Sequence, residues 1–314
     1  MKLIEPKVEL MQQAPGLVGM YKHIERCART CYKTEDSITE NSYEKLCDKL
    51  MKAKHFAMFE HGTVYLNILY TIDNVNTAAT ILNKYYNNPY SKVNFDSCLV
   101  TTNFRVIIEN HWEDDLQYIC EPTEFHERRI TLKFTTNIGV TREGNRHRVN
   151  SIAEESTRYC NYGNEKFGGA VTFTKPTWIT DDDIEKVTKE PIVIRNGLPM
   201  LDFDTLSKYN DNHLKAVAVY LESLAIFEDK YKELVTLGWS PQQAREVLPL
   251  ATKSEVVYTA FASDWKHWFD LRLVGTTGKP HPNMEQVAWL AQQELIKNNL
   301  WDLIYDPNNK SDKV

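Results

Sequence analysis

Arg146-His147-Arg148-Val149-Asn150-Ser151-Ile152-Ala153-Glu154-Glu155-Ser156-Thr157-Arg158 concentrates more chemistry than any other stretch of this chain. The protein has twelve arginines, and Arg142, Arg146, Arg148 and Arg158 fall within seventeen residues. The quoted stretch also holds one imidazole, two serines and two carboxylates. A guanidinium offers a planar fork of donors that matches phosphate or carboxylate oxygens two at a time. It stays charged at any working pH and cannot shuttle protons. The bland alternatives are a solvated basic helix face and a nucleic-acid patch. Exposed faces usually carry lysine, and this stretch has none. An arginine knot in an acidic chain points to a polyanionic small molecule.

A chain of 314 residues can bury a sizeable core. Its net charge of -6 argues against general nucleic-acid binding, which needs a basic surface. No apolar run approaches bilayer length, so no membrane association is expected. Met1-Lys2-Leu3-Ile4-Glu5-Pro6 lacks the apolar core of a secretory signal, and the expectation is a cytoplasmic protein. The cysteines Cys27, Cys31, Cys47, Cys98, Cys120 and Cys160 are scattered. Cys27 and Cys31 could share a helix face, but a metal there would need two further ligands. Free thiols and no metal are expected.

Periodicity predicts helices from about Pro15 to Tyr32, from Asn41 or Ser42 through Leu50, and from Asp73 to Tyr86. It also predicts the long helix Asp211 to Leu237, a short one opened by Pro241, and a last one from Asn283 to Asn298. A helix carrying Trp265, Trp268 and Phe269 is expected to be capped by Ser263 or Asp264. Strands are expected over Thr63–Tyr70, Arg129–Thr136, Val171–Phe173 and Glu255–Phe261. The polar tail after Tyr305 reads as frayed. No internal repeat stands out. Thr180 to Asp204, with Pro191, Gly197 and Pro199, reads as a linker. Candidate site residues flank it on both sides, so the chain reads as one α+β domain, residues 1–314, with a mixed or antiparallel sheet flanked by helices.

The spacing of the arginine stretch resembles the signature of the flavin-dependent thymidylate synthases. Other segments are similar to that family and follow its order: Cys27-Ala28-Arg29-Thr30-Cys31-Tyr32, Phe59-Glu60-His61, Ala244-Arg245-Glu246-Val247-Leu248-Pro249-Leu250, and Asp270-Leu271-Arg272 followed by His281. The chain departs from the pattern at Glu143, where a neutral amide is common, and at Phe261 and His267, where some relatives carry Asn. Residues of about 73–128 read as an insertion. Extra residues between Arg272 and His281, with Gly275 and Gly278, read as a mobile loop.

The resemblance implies reductive methylation of dUMP to dTMP. Methylenetetrahydrofolate would give the methylene, NADPH the reducing equivalents, and FAD would carry the hydride. It implies dUMP contacts from Glu143, Arg146, Glu154, Glu155, Ser156, Thr157, Arg158, Arg245 and Arg272. Arg272 would be the catalytic cation, stabilising charge on the pyrimidine. FAD contacts are implied for Thr63, Arg146, His147, Arg148, Glu154, Phe261, Ala262, Ser263 and His267. His61 and His281 could form an active-site wall, although a histidine such as His61 is more often structural. Cys160 lacks the flanking pattern of a nucleophilic thymidylate-synthase cysteine and reads as structural. The family implies a homotetramer with shared active sites, for which the long 211–237 helix would suit an interface. Two rivals stay open: alkylation of another pyrimidine nucleotide such as dCMP, and a non-catalytic nucleotide-binding protein.

Overall fold

Strand Lys253–Phe261 is buried along almost its whole length because it pairs on both edges. The structure, a computed structural model, describes residues 1–69, 75–164, 169–188, 193–195, 198–200, 207, 209 and 211–305. The central sheet is antiparallel throughout, in the spatial order Lys7–Leu10, Arg129–Asn137, Lys253–Phe261, Ser151–Glu154. A second antiparallel sheet pairs Thr63–Asn67 with Leu99–Asn103, and the latter with Lys92–Asn94. Lys2–Ile4 runs parallel to Thr172–Thr174, and Val193–Arg195 pairs antiparallel with Leu198–Met200. The fold is α+β, with mixed parallel and antiparallel pairing and flanking helices.

Successive residues of a strand point to opposite faces, and here the two faces have different chemistry. Val256, Tyr258 and Ala260 join Ile130, Leu132 and Phe134 on one face. They pack against Trp265, Trp268 and Phe269 of helix Ala262–Phe269 and against the apolar side of helix Pro282–Lys297. The other face carries Glu255, Val257 and Thr259 opposite Thr135, Lys133 and Thr131. Helix Gly16–Thr30 packs over part of it and brings His23 to Thr131 at 3.2 Å.

The expected helices and strands form, with shifted ends. The strand at Thr63 stops at Asn67; Tyr70 and Asp73 lie outside the described residues, as does the tail after Tyr305. The helix of the three large aromatics is not capped by Ser263 or Asp264. It starts at Ala262, directly from the central strand. Its first N–H groups are satisfied from a distant segment: Ala262 N donates to the Arg128 carbonyl at 2.9 Å and Ser263 N to the Glu127 carboxylate at 3.0 Å. Thr180 to Asp204 is not an open linker where it is described. Asp181–Thr188 is a helix, begun by a reciprocal Thr180–Asp183 cap, and the antiparallel pair Val193–Arg195 and Leu198–Met200 follows.

One repeat escaped the sequence reading. Thr101-Thr102-Asn103-Phe104-Arg105-Val106-Ile107-Ile108-Glu109 and Thr135-Thr136-Asn137-Ile138-Gly139-Val140-Thr141-Arg142-Glu143 share Thr-Thr-Asn-x-x-Val-x-x-Glu. Each is a strand end followed by a seven-residue helix. The Asn side chain accepts from the Val N–H at 3.1 Å in the first and 2.9 Å in the second. Both valines are buried. The first copy closes on itself through Arg105–Glu109; the second presents Glu143 to another element.

The polar face is held by an ion network at one end. Glu255 contacts Lys33 at 2.7 Å, Lys133 at 2.6 Å and Lys253 at 3.2 Å. Burial raises its pKa, but the three lysines win and hold it at about 2 against an ordinary 4.5. A depressed carboxylate stabilises the fold above the unfolded pKa, and this stability is lost as pH falls through the folded pKa. Glu255→Gln is therefore expected to cost on the order of 3 kcal/mol near neutral pH. The gap from wild type should shrink between pH 4.5 and 2. Urea unfolding of both proteins at pH 7, 4 and 3 checks this; a gap that does not vary with pH contradicts the network's role.

Candidate active site

Arg272 lies on a π-helical turn, Asp270–Val274, that continues helix Ala262–Phe269. Gly275 ends the turn with φ 76°, a left-handed value that favours glycine. A Cβ there would lie 2.9 Å from the Gly278 carbonyl, so Gly275–Gly278 is a tight turn. The Arg272 side chain is only 17% exposed and reaches the end of helix Ile138–Gly144. Its Nε donates to His147 Nε2 at 3.1 Å, its Nη1 to the Glu143 carboxylate at 3.3 Å, and its Nη2 to the Glu143 carbonyl at 2.9 Å. A guanidinium has five N–H donors, so two remain for a ligand. His147 accepts with Nε2, which places the proton of the neutral ring on Nδ1. Burial, then Arg272 and His267, push its pKa down to about 4. The His267 ring stands 5.7 Å away, and Trp268 backs the pair at 6.3 Å.

Next to this group, Tyr258 donates to Asn145 Oδ1 at 2.8 Å, and Asn145 Nδ2 donates to Glu154 at 3.0 Å. Ser254 donates to the other Glu154 oxygen at 2.9 Å. Gly144 permits this approach, because a Cβ there would fall 2.3 Å from the tyrosine hydroxyl. Glu155 is turned away. Its carboxylate is buried and takes Lys253 at 2.6 Å and the Tyr162 hydroxyl at 3.2 Å, so one residue of sequence separates two different environments. Arg245 donates to Thr157 at 2.9 Å beside a cavity of about 300 Å³ that Arg142 also lines. Ser156 Oγ accepts from the Arg158 N–H at 3.3 Å. Arg146, Arg148 and Arg158 are exposed. Arg158 lies 5.4 Å over the Tyr159 ring.

Thr63, Phe261 and His61 lie toward the opposite, polar face of the sheet, while Ala262 belongs to the apolar layer. Thr63 is buried, with its backbone N–H and C=O both paired to the Gln13 amide at 2.8 Å. Phe261 lies 5.5 Å from the Arg129 guanidinium. Ala262 and Ser263 begin the helix described above. His61 is fully buried, bonded through Nδ1 to Thr259 at 2.8 Å, and its Nε2 has no hydrogen-bond partner. Burial pushes its pKa down to about 3. Thr259 continues through Thr131 at 2.8 Å to His23. His281 is elsewhere: its Nδ1 caps helix Pro282–Lys297 at 3.2 Å and its ring meets Trp178.

Sequence reasoning missed Arg129. It is the first residue of a strand read only for its alternation, and its contacts come from residues 60, 63 and 151, which no local pattern reveals. The Cys160 thiol is fully buried and raised to about 12, mainly by burial. It is not ionised near neutral pH.

An arginine clasped by a carboxylate and a neutral imidazole thus stands at the end of a short helix on an α+β sheet. The family model described as "Thymidylate synthase complementing protein" matches residues 100–298, well over half of the chain. The chain belongs to the flavin-dependent thymidylate synthase family. It is 27% identical over 96 residues to the flavin-dependent thymidylate synthase of Pyrococcus furiosus, a match spanning 31% of this chain and about a third, 36%, of that relative's length. A crystal structure of the UMP/dUMP methylase PolB from Streptomyces cacaoi with 5-Br dUMP covers 95% of this chain and 93% of its own, at 19% identity and TM-score 0.43. The same protein with 5-Br UMP gives 18% identity, 96% and 93% coverage, and TM-score 0.43.

Arg272→Gln removes a cation that helps keep His147 neutral, so the His147 pKa is expected to rise from about 4 toward its ordinary 6.5. The sign for stability follows. Native His147 resists protonation, so wild type loses stability as pH falls from 6.5 toward 4, and the variant loses less over that window. Histidine NMR titration of both proteins reads this directly. An unchanged His147 titration would mean that burial alone sets the value.

Proposed function

We propose that this protein is an FAD-dependent thymidylate synthase that reductively methylates dUMP to dTMP, with methylenetetrahydrofolate as carbon donor and NADPH as reductant. The observation that carries this reading is the clasp of Arg272 by Glu143 and His147 beside Glu154. FAD would supply the hydride chemistry when bound. The donor set suits a large anionic cofactor. Arg146 and Arg148 make no ion pair among the described residues, and His61 Nε2 is buried without a partner beside the Thr63 segment. Thr63, His147, Phe261, Ala262, Ser263 and His267 would complete its contacts.

Arg272 performs the step in which carbon 5 of the pyrimidine becomes nucleophilic. Its two free N–H donors would face the ring edge, and its charge would offset the negative charge that develops on the ring. Glu143 and His147 fix the fork's plane, and His147 stays neutral, so it adds no second positive charge beside the guanidinium. Arg245, Thr157, Ser156 and Arg158 would hold the nucleotide phosphate. No cysteine adduct is needed, in line with the un-ionised Cys160.

The candidate residues divide between the two faces of the central sheet. That division favours sites completed by a second copy, and a homotetramer is part of the proposal, as are a single catalytic domain with residues of about 73–128 as an insertion, and a cytoplasmic location. A second reading rests on Glu143. A carboxylate facing the pyrimidine would accept from an amino group, which favours dCMP over dUMP.

Purified protein is expected to be yellow, with bound FAD, and Arg146→Ala with Arg148→Ala should strip it. Arg272→Ala should keep the flavin and lose about a hundredfold or more in dTMP formation. Arg272→Lys should recover little, because a point charge does not replace a fork. Cys160→Ala should retain turnover. Assays of these variants with dUMP and dCMP side by side test both readings. Active Arg272→Ala together with inactive Cys160→Ala would overturn the mechanism, and preferential turnover of dCMP would install the second reading.

A further inference from the structure

A cavity of about 330 Å³ lies between three segments: Leu10–Gly16, Ile119–Pro122 and Arg128–Thr131, with Thr63 in its wall. Two consecutive guanidiniums line it, and neither has a carboxylate within ion-pair distance among the described residues. Arg129 Nη1 donates to the Glu60 carbonyl at 3.0 Å and Thr63 Oγ1 at 3.3 Å, and Nη2 to Ser151 Oγ at 3.2 Å. These acceptors are neutral. Its Nε is buried with no partner at all. Arg128 has the Tyr65 ring 5.9 Å away as its charge neighbour. Of the nearby carboxylates, Glu60 takes Arg105 at 2.6 Å and Glu127 takes the Ser263 N–H, while Glu121 lines the same cavity without an ion pair to either arginine. Glu60 and Asp264 act on Arg129 only through space.

Burying a cation without an anion is costly, and folded proteins ordinarily pair it. Arg129 as a whole is part-buried, but its Nε is enclosed, and burial outweighs the Tyr65, Glu60 and Asp264 charges and pulls its pKa down to about 10. The missing partner is an anion that arrives from outside. A planar fork selects oxyanions in pairs. The volume is at the small end of ligand pockets, so it suits the charged portion of a ligand rather than a whole dinucleotide. Gln13 fixes the Thr63 wall by pairing both of its backbone groups, so the cavity is built before a ligand enters.

We infer that Arg128 and Arg129 form an oxyanion-binding subsite, taking either the diphosphate of a dinucleotide or the terminal carboxylates of a folate. The identity of these two sources rests on the function proposed above; the oxyanion chemistry does not. The subsite uses Ile119–Pro122, so the segment between the second sheet and the Arg129 strand contributes to ligand selection.

The test is thermal melting of the full chain with sodium pyrophosphate or glutarate against chloride at constant ionic strength, for wild type, Arg128→Gln and Arg129→Lys. Dissociation constants for FAD, riboflavin and mono- and polyglutamyl folate are measured in parallel. At least one of the two anions should raise the wild-type melting temperature, and both variants should lose most of that shift. For the diphosphate source, Arg128→Gln should weaken FAD about tenfold or more and leave riboflavin unchanged. For the carboxylate source, it should weaken polyglutamyl folate selectively. The Arg128 side chain makes no hydrogen bond or ion pair among the described residues, so its variant decides the matter even if changes at Arg129 fail to fold. Equal shifts in wild type and variants, or no shift with either anion, would overturn the inference. A wild type that binds no flavin yet is stabilised by pyrophosphate would sink the functional reading and leave the subsite standing.

Discussion

The pairing of Lys253–Phe261 on both edges governs the rest of the molecule. A strand buried on both faces and bonded on both edges cannot shift register without reversing every side chain. Here such a slip would drive Glu255 and Thr259 into the aromatic layer and expose Val256 and Tyr258 to the lysines. The two faces therefore specify one register far more strongly than either would alone. From that register follow the neighbours of each site residue. Glu154 stands opposite Val256 and Ser151 opposite Thr259, so the arginine stretch is divided residue by residue between the faces.

The two faces manage charge in different ways. At one end of the polar face, Glu255 balances three lysines locally. At the other, Arg129 has only neutral partners. Between them a buried chain runs from His61 through Thr259 and Thr131 to His23, with both imidazoles held neutral by burial. A neutral, fully packed polar chain fixes ring orientation without adding charge. On the other side of the sheet, the Arg272 guanidinium is oriented by one carboxylate and an imidazole that stays unprotonated. The contrast is between a charge that is balanced, one that is aimed, and one that awaits a partner.

Much of the fold was legible locally. The helices at Gly16, Asn212 and Pro282 and the strands at Arg129 and Lys253 carry strong periodicity, and their expected ranges differ from the observed ones only at the ends. What escaped was decided at a distance. The helix cap at Ser263 comes from Glu127, and the N-terminal strands exist only because Arg129–Asn137 and Thr172–Thr174 are there to receive them. The Thr-Thr-Asn duplication was missed because its fixed residues are few and spaced. They serve two geometric tasks, a cap and a buried contact, that leave the intervening residues free.

The sequence alone determined the chemistry at hand: which residues carry fixed positive charge, where the strongly periodic helices and strands lie, and the family whose spacing they keep. These are properties of residue type and of order along one chain. Only the tertiary structure decided which groups meet. It set Glu143 and His147 on Arg272, sent Glu154 and Glu155 to different environments, made His281 a helix cap, and left Arg129 without a countercharge. The physical reason is that hydrogen bonding and desolvation act over a few ångströms of space, and the fold closes those distances between residues from separate elements, Arg272 and Glu143 lying 129 positions apart.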